Sequence, residues 1–249
     1  MKLNKMIWGL GLILVFPTFP VNAQQALRGT ITQWEKGEGK IAFYDMFTGE
    51  FSELGRVGAD GSFEIGLAED YPEQVRRLAA KALDNAPAGW SLQKNTLASS
   101  FRCGSEDLVY TRAEAEVMGL PELSLTNETG GPLNGVLVAA SSREVADWLF
   151  TYGGKKPEQG YYLRWYYAGD KASVKGKCIT DVYTGNGEEL FTEEIIMDLE
   201  LVKGWNIVKT EISRVFTDEG GRGHPARYIT TSIPQLPEGL GWFALENEY

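Results

Sequence analysis

A period of two in the apolar residues, repeated in short runs that turn signals cut apart, limits this chain most. Ser62-Phe-Glu-Ile-Gly-Leu67 sets Phe63, Ile65 and Leu67 on one face and Glu64 on the other, and Ile195-Ile-Met-Asp-Leu-Glu-Leu-Val202 alternates in the same way. Successive side chains of an extended backbone point to opposite faces, so such runs read as strands lying on a core. Asn134-Gly-Val-Leu-Val-Ala-Ala140 is continuously apolar and has the length of a buried strand. Asp60-Gly61 is a strong hairpin signal, because both residues tolerate the positive φ that a tight turn requires; Thr48-Gly49 marks a further turn. With Leu27–Thr32, Lys40–Tyr44 and Phe51–Val57, these signals predict a small antiparallel β-module over residues 24–69.

Residues 70–100 change character and read as a connector with a short helix. Pro72 suits the first helical position, Val75, Leu78, Ala79, Ala82 and Leu83 share a helical face, and Asn85, Pro87 and Gly89 stop the pattern. Residues 101–249 return to strands and read as a larger β-sandwich-like domain. A helix over 142–152 is expected within it: Ser141-Ser-Arg-Glu144 fits a capping box, Val145, Trp148, Leu149 and Tyr152 recur at helical spacing, and Gly153-Gly154 ends the run. Strands are expected at Tyr161–Tyr167, Ala172–Ile179 and Arg227–Ile233, the last before a Pro-containing tail. Ile195–Val202 and Trp205–Ile212 are expected to pair as a hairpin about Lys203-Gly204. The fold class is thus mainly β: a small N-terminal β-module followed by a larger β-sandwich-like domain with one covering α-helix.

The stretch Leu27-Arg-Gly-Thr-Ile … Gly58-Ala-Asp-Gly-Ser-Phe-Glu-Ile65 resembles the carboxypeptidase regulatory-like, or transthyretin-like, β-modules of secreted bacterial proteins. The Gly-x-Pro-Leu-x-Gly-Ala signature that usually follows their first strand is missing. The resemblance implies a non-catalytic structural or adhesive accessory. The second half, with its Tyr-rich strand, Cys178 and Leu201-Val-Lys-Gly-Trp-Asn-Ile-Val208, is similar to a loose class of secreted proteins of environmental bacteria. That likeness implies an address and a layout, and no activity.

Residues 1–23 have the three parts of a secretory leader: Lys2 and Lys5, the apolar run Ile7–Val15, and Val21-Asn22-Ala23 before a cleavage point. The run is well short of the roughly 20 residues that span a bilayer, and no Cys follows it, so the mature chain is expected to be exported to the periplasm or beyond without a membrane span. Cys103 and Cys178 are the two cysteines of the sequence. In an oxidising compartment an even pair is expected to form a disulfide. The formal charge of −10 opposes binding to nucleic acid or to anionic membrane.

Catalytic signatures are sparse. His224 is the single histidine and lies in Glu219-Gly-Gly-Arg-Gly-His-Pro225, where a solvated loop is expected. No Gly-x-Ser-x-Gly, P-loop, dinucleotide fingerprint or Asp-x-Asp-x-Asp-Gly loop occurs, and no cofactor, metal or catalytic residue is assigned. Glu188, Glu189, Glu193 and Glu194 could supply the carboxylate pair of a glycosidase, or merely keep a loop solvated.

Aromatic residues are in surplus. Tyr161, Trp165 and Tyr167 lie on one face of their strand, and Tyr162, Arg164 and Tyr166 on the other. A covering helix Arg143–Tyr152 accounts for rings on both faces; an open strip of Tyr162, Arg164 and Tyr166 would stack on a sugar or dock a partner. Trp34, Trp90, Trp205 and Trp242 sit near turns and read as edge packing. The function expected is a non-catalytic exported protein of structural or binding type, its partner a glycan or another envelope protein. The alternative is a secreted carboxylate-dependent hydrolase.

Overall fold

The computed structural model describes residues 26–45, 50–84, 86–87, 89, 91–104, 107–129 and 132–246. The leader 1–23, the Thr48-Gly49 turn and Trp90 lie outside the described residues. Strands β1 Ala26–Thr30, β2 Gly39–Asp45, β3 Glu50–Val57 and β4 Ser62–Gly66 come first, followed by helices α1 Tyr71–Asp84 and α2 Leu97–Ser100. Then come β5 Leu108–Thr111, β6 Val117–Gly119, β7 Leu123–Asn127, β8 Pro132–Ala140 and helix α3 Arg143–Phe150. The chain ends in β9 Gly160–Ala168, β10 Ala172–Tyr183, β11 Leu190–Leu201, β12 Gly204–Thr217, β13 Gly223–Ile233 and β14 Gly241–Glu246. The fold is mainly β, and all fourteen strands belong to one mixed, sandwich-like sheet.

That sheet branches at β8. One edge of β8 pairs with β14, from Gly241 opposite Ala140 to Glu246 opposite Gly135. The other edge is divided: Leu137 and Gly135 face Leu123 and Leu125 of β7, whereas Ala140 faces Tyr162 of β9. From β7 the strands run β2, β3, β4, β1. Ile31 then bridges Trp242 in parallel, and the Thr32 N–H donates to the Trp242 carbonyl at 2.8 Å. A ring of seven strands closes in this way, and closure removes the free edges an open sheet would leave. From β9 a second limb runs β12, β13, β11, β10, β5.

Alternation explains the core. Leu27, Ile31, Ile41, Val57, Phe63, Ile65, Leu125 and Leu137 point into the ring, where they meet Leu163, Trp165, Trp205 and Ile207 from β9 and β12. Trp165 and Trp242, each 4 % exposed, stack with centroids 5.5 Å apart, and Phe63 meets Trp242 edge-on at 4.8 Å. Gly29 is required beside them, since a Cβ there would lie 2.5 Å from the Trp242 indole nitrogen. Trp205 and Trp242 are therefore core residues and not edge packing. The break expected after residue 69 is crossed by hydrogen bonds: β2 pairs with β7, and the end of β1 meets β14.

Local chemistry fits these elements with some shifts. Asp60-Gly61 does turn β3 into β4, with Gly61 at φ +81° and the Asp60 carboxylate accepting from the Ser62 N–H and hydroxyl. The α3 N-cap is Ser142, which accepts from Val145 N at 3.3 Å; Ser141 instead accepts from Tyr161 N at 2.8 Å, so the capping box drawn from Ser141 to Glu144 does not form. Helix α1 is held by Tyr71, whose ring packs on Trp205 and whose hydroxyl donates to the Gly119 carbonyl at 2.8 Å, while Leu78 and Leu83 of its apolar face remain exposed.

The hairpin expected between Ile195–Val202 and Trp205–Ile212 is absent. β13 lies between these strands, parallel to β11 and antiparallel to β12. Asn206 fastens the bend at its foot: the side-chain oxygen accepts from Val202 N, and the side-chain nitrogen donates to the carbonyls of Val202 and Gly204.

Replacing Trp242 by Ala is expected to cost about 3–5 kcal/mol, the range for truncating a buried large aromatic, with Trp242→Phe intermediate. Chemical denaturation followed at both tryptophan fluorescence and far-UV dichroism should show one shifted transition. An independent 24–69 module would instead give a second transition that the substitution leaves in place.

Candidate functional site

β9 has two different faces. Leu163 and Trp165 enter the ring core, whereas Tyr162, Arg164 and Tyr166 point to the opposite side of the sheet. Strand register fixes their neighbours there: Tyr162 lies opposite Thr210, Arg164 opposite Val208, Thr210 opposite Thr230, and Ile195 beside Tyr228. Together they floor a pocket of about 370 Å³ whose walls include Ser100 and Phe101 on one segment and Trp148 on α3. A second crevice of about 310 Å³ occupies the notch between the two branches of the sheet, reaching Leu137, Val138, Leu163 and Trp165. Tyr162, Arg164 and Tyr166 line both cavities.

Helix α3 covers the strip only in part: its buried face, Val145 and Ala146, packs on Val136, Ala140 and Leu245 of β8 and β14, with Tyr162 partly buried against that cluster and Trp148 at the pocket wall. Tyr162 and Tyr166 stay half-buried and Arg164 exposed.

The opposite wall is tied down covalently. Cys103 and Cys178 lie at disulfide distance, with Cα atoms 6.3 Å apart and 75 positions apart in sequence. Cys178 is buried on β10, so the bond pins the segment that carries Phe101 against the sheet. Phe101 packs on Tyr166 at 4.9 Å, and its carbonyl accepts from the Tyr110 hydroxyl at 2.7 Å.

Burial sets the protonation states inside the pocket. The Tyr162 and Tyr228 hydroxyls are pushed above the usual phenol range by desolvation, so both stay neutral and can donate. Glu193 is likewise pushed up by burial, and it is the one carboxylate among the residues lining this pocket. The Arg164 guanidinium sits 5.4 Å over the Tyr162 ring, a cation–π arrangement. Thr210 and Thr230 approach to 3.3 Å between their hydroxyl oxygens.

The glutamates that cluster in sequence separate in space. Glu193 faces the pocket, while Glu194 faces the reverse side and pairs with Arg227 at 3.0 Å and Lys177 at 3.5 Å. Glu189 accepts from Asn186 and from the Glu219 N–H, joining two loops, and Glu188 is exposed. His224 is not in a solvated loop. It lies on β13 with its side chain 13 % exposed, 2.9 Å from an Asp218 carboxylate that is itself 3 % exposed, and packs on Phe191 at 5.1 Å. The hydrogen bond from His224 holds Asp218 below the usual carboxylate range. Among the described residues no group of three or more His, Cys, Asp and Glu is placed to hold a metal ion, and no helix is long and apolar enough to cross a membrane.

Sequence reasoning missed Phe101, Trp148, Thr210, Tyr228 and Thr230 as neighbours of the strip. A signal was present: Thr210 shares a face with Val208 and Ile212, and Thr230 with Tyr228 and Ser232, which gathers hydroxyls on one side of the sheet.

No protein-family model, no curated protein and no solved structure matches the chain.

Serine at both Cys103 and Cys178 is expected to lower stability by roughly 4 kcal/mol on the chain-entropy scale for a loop of this length. Hydrogen exchange should locate the added mobility at 97–104, and unchanged protection there would contradict the pinning. The carboxyl of Glu193 is raised in the folded state, so its protonated form is favoured by folding and stability falls as pH rises above the ordinary value of 4.5. Glu193→Gln should remove that loss, so the urea midpoint at pH 8 relative to that at pH 4 should be higher than in the parent.

Proposed function

We propose that this chain is an exported, non-catalytic binding protein that holds a glycan in the groove over Tyr162, Arg164 and Tyr166. The observation that carries the reading is the composition of that groove. Rings of Tyr162, Tyr166, Phe101 and Trp148 stand beside the hydroxyls of Thr210, Thr230 and Tyr228 and the charged groups of Arg164 and Glu193. A sugar ring has an apolar face and a rim of hydroxyls, so aromatic stacking serves the first and fixed donors and acceptors serve the second. A protein partner would be better served by a drier patch, since interface cores are depleted of charge.

Export is supported by the leader pattern of residues 1–23 and by a cysteine pair of a kind that persists in oxidising compartments. A binding role rather than hydrolysis is supported by the separation of the carboxylates. Glycosidases place two carboxyls roughly 5–9.5 Å apart across the scissile bond, whereas Glu194 and Glu189 turn away from Glu193 and make their own contacts.

A glycan array probed with the mature, disulfide-bonded chain should give a defined set of binders. Tyr162→Ala should weaken them about tenfold or more, ~1.4 kcal/mol, by removing a stacked ring. A flat array would overturn the reading. Release of reducing ends from a bound glycan, lost in Glu193→Gln, would move the site to the hydrolases.

A further inference from the structure

Arg164 lines the pocket without a counter-ion among the described residues. The chain has 34 acidic residues against 24 Lys and Arg, and most of its arginines have found an acid: Arg28 with Glu64, Arg56 with Glu53, Arg76 with Glu116, Arg143 with Asp147, Arg227 with Glu194. Arg164 has no carboxylate partner among the described residues. Its guanidinium is held over the Tyr162 ring at 5.4 Å, at a position shared by both cavities. A guanidinium is planar, permanently charged and forked to match a carboxylate, and stacking on a ring fixes its orientation before any ligand arrives.

The acid within the same pocket does not neutralise it. Glu193 is on β11, and β12 and β13 lie between β11 and β9, so the strands that carry the two groups are three interstrand spacings, roughly 14 Å, apart. Register offsets them further along the strands, since Arg164 lies level with Val208 and Ser232 whereas Glu193 precedes the Glu194–Arg227 pairing. The groove therefore has a cationic end at Arg164, a middle of threonine and tyrosine hydroxyls, and a carboxyl end at Glu193. A ligand spanning it must be longer than one sugar ring, and must offer an anion at the β9 end and hydroxyl donors at the other.

We infer that the groove takes an acidic oligosaccharide, of the uronate type, with a sugar carboxylate paired to Arg164 and hydroxyls of a later unit reaching Glu193. This rests on the glycan reading of the same site and adds charge, length and direction to it. An acidic protein repels a polyanion at long range, so recognition is local, at Arg164, and added salt weakens it only in part. The other titratable groups facing the ligand are the Tyr162, Tyr166 and Tyr228 hydroxyls, and of these Tyr162 and Tyr228 are held neutral by burial.

Isothermal titration with a tetrameric uronate and with the neutral tetramer of the same linkage tests this. The acidic form should bind at least about tenfold more tightly, as expected for a charge-assisted bidentate pair. In Arg164→Gln the acidic-to-neutral ratio should collapse to about one, and Arg164→Lys, which keeps the charge without the fork, should give an intermediate ratio. The side chain is exposed, and matching circular dichroism and urea midpoints verify that each variant folds. The monomeric uronate should bind more weakly than the tetramer. Equal affinities for the two tetramers in the parent chain, or a preference that survives in Arg164→Gln, overturns the inference and leaves the glycan reading in place. Binding of neither tetramer, together with a flat array, removes both.

Discussion

The divided edge of strand Pro132–Ala140 sets the shape of the whole sheet. Every backbone N–H and C=O in a buried strand needs a partner, and β8 satisfies one side with a single strand and the other with two. Its first half pairs with β7 and its last residue with β9. A sheet forced apart at one strand cannot stay flat. One branch curls back to β14 and closes a ring, while the other opens into a six-strand limb, and the notch between them is left as a crevice. The stacked pair Trp165–Trp242 fills the angle where ring and limb meet, since one indole comes from each branch.

The same arrangement makes β9 a strand with two kinds of surroundings. On the ring side it meets a dense apolar core, so Leu163 and Trp165 are buried. On the other side the sheet is covered at one end by α2 and the disulfide-pinned segment and flanked at the other by α3, with a gap between these covers. Residues in that gap are neither core nor free surface. There the structure places rings and hydroxyls side by side, and burial raises the pKa of Glu193, Tyr162 and Tyr228. The chemistry of the groove follows from where the covers stop.

Periodicity made much of this legible. Phe63, Ile65 and Leu67 face the core as their spacing requires, and Asp60-Gly61 turns the chain where its backbone tolerance predicts. Tyr162, Arg164 and Tyr166 share a face because residues two apart always do in a strand. Pairing was less legible. Val202 and Trp205 are separated by two residues, yet β11 and β12 are not hydrogen-bonded neighbours, because β13, from twenty residues further on, inserts between them. Trp205 and Trp242 looked like edge residues for the same reason. Turn residues flank them locally, and the core that buries them comes from strands far away in sequence. His224 looked solvated because glycines surround it, but Asp218 and Phe191 reach it through strand register that local composition does not encode.

Local pattern is enough to read a set of strands, their two faces, their turns, and a pair of cysteines able to bridge. Each of these depends on bonds and sterics within a few residues, or on a count. Long-range packing sets which strands are neighbours, that the sheet branches at β8, and that Tyr162, Arg164 and Tyr166 share a pocket with Glu193 and Tyr228 while Glu194 is turned away. Those outcomes arise from competition among many strands of similar hydrophobicity for the same hydrogen-bonding edges, and non-local closure and packing resolve it where no local pattern can.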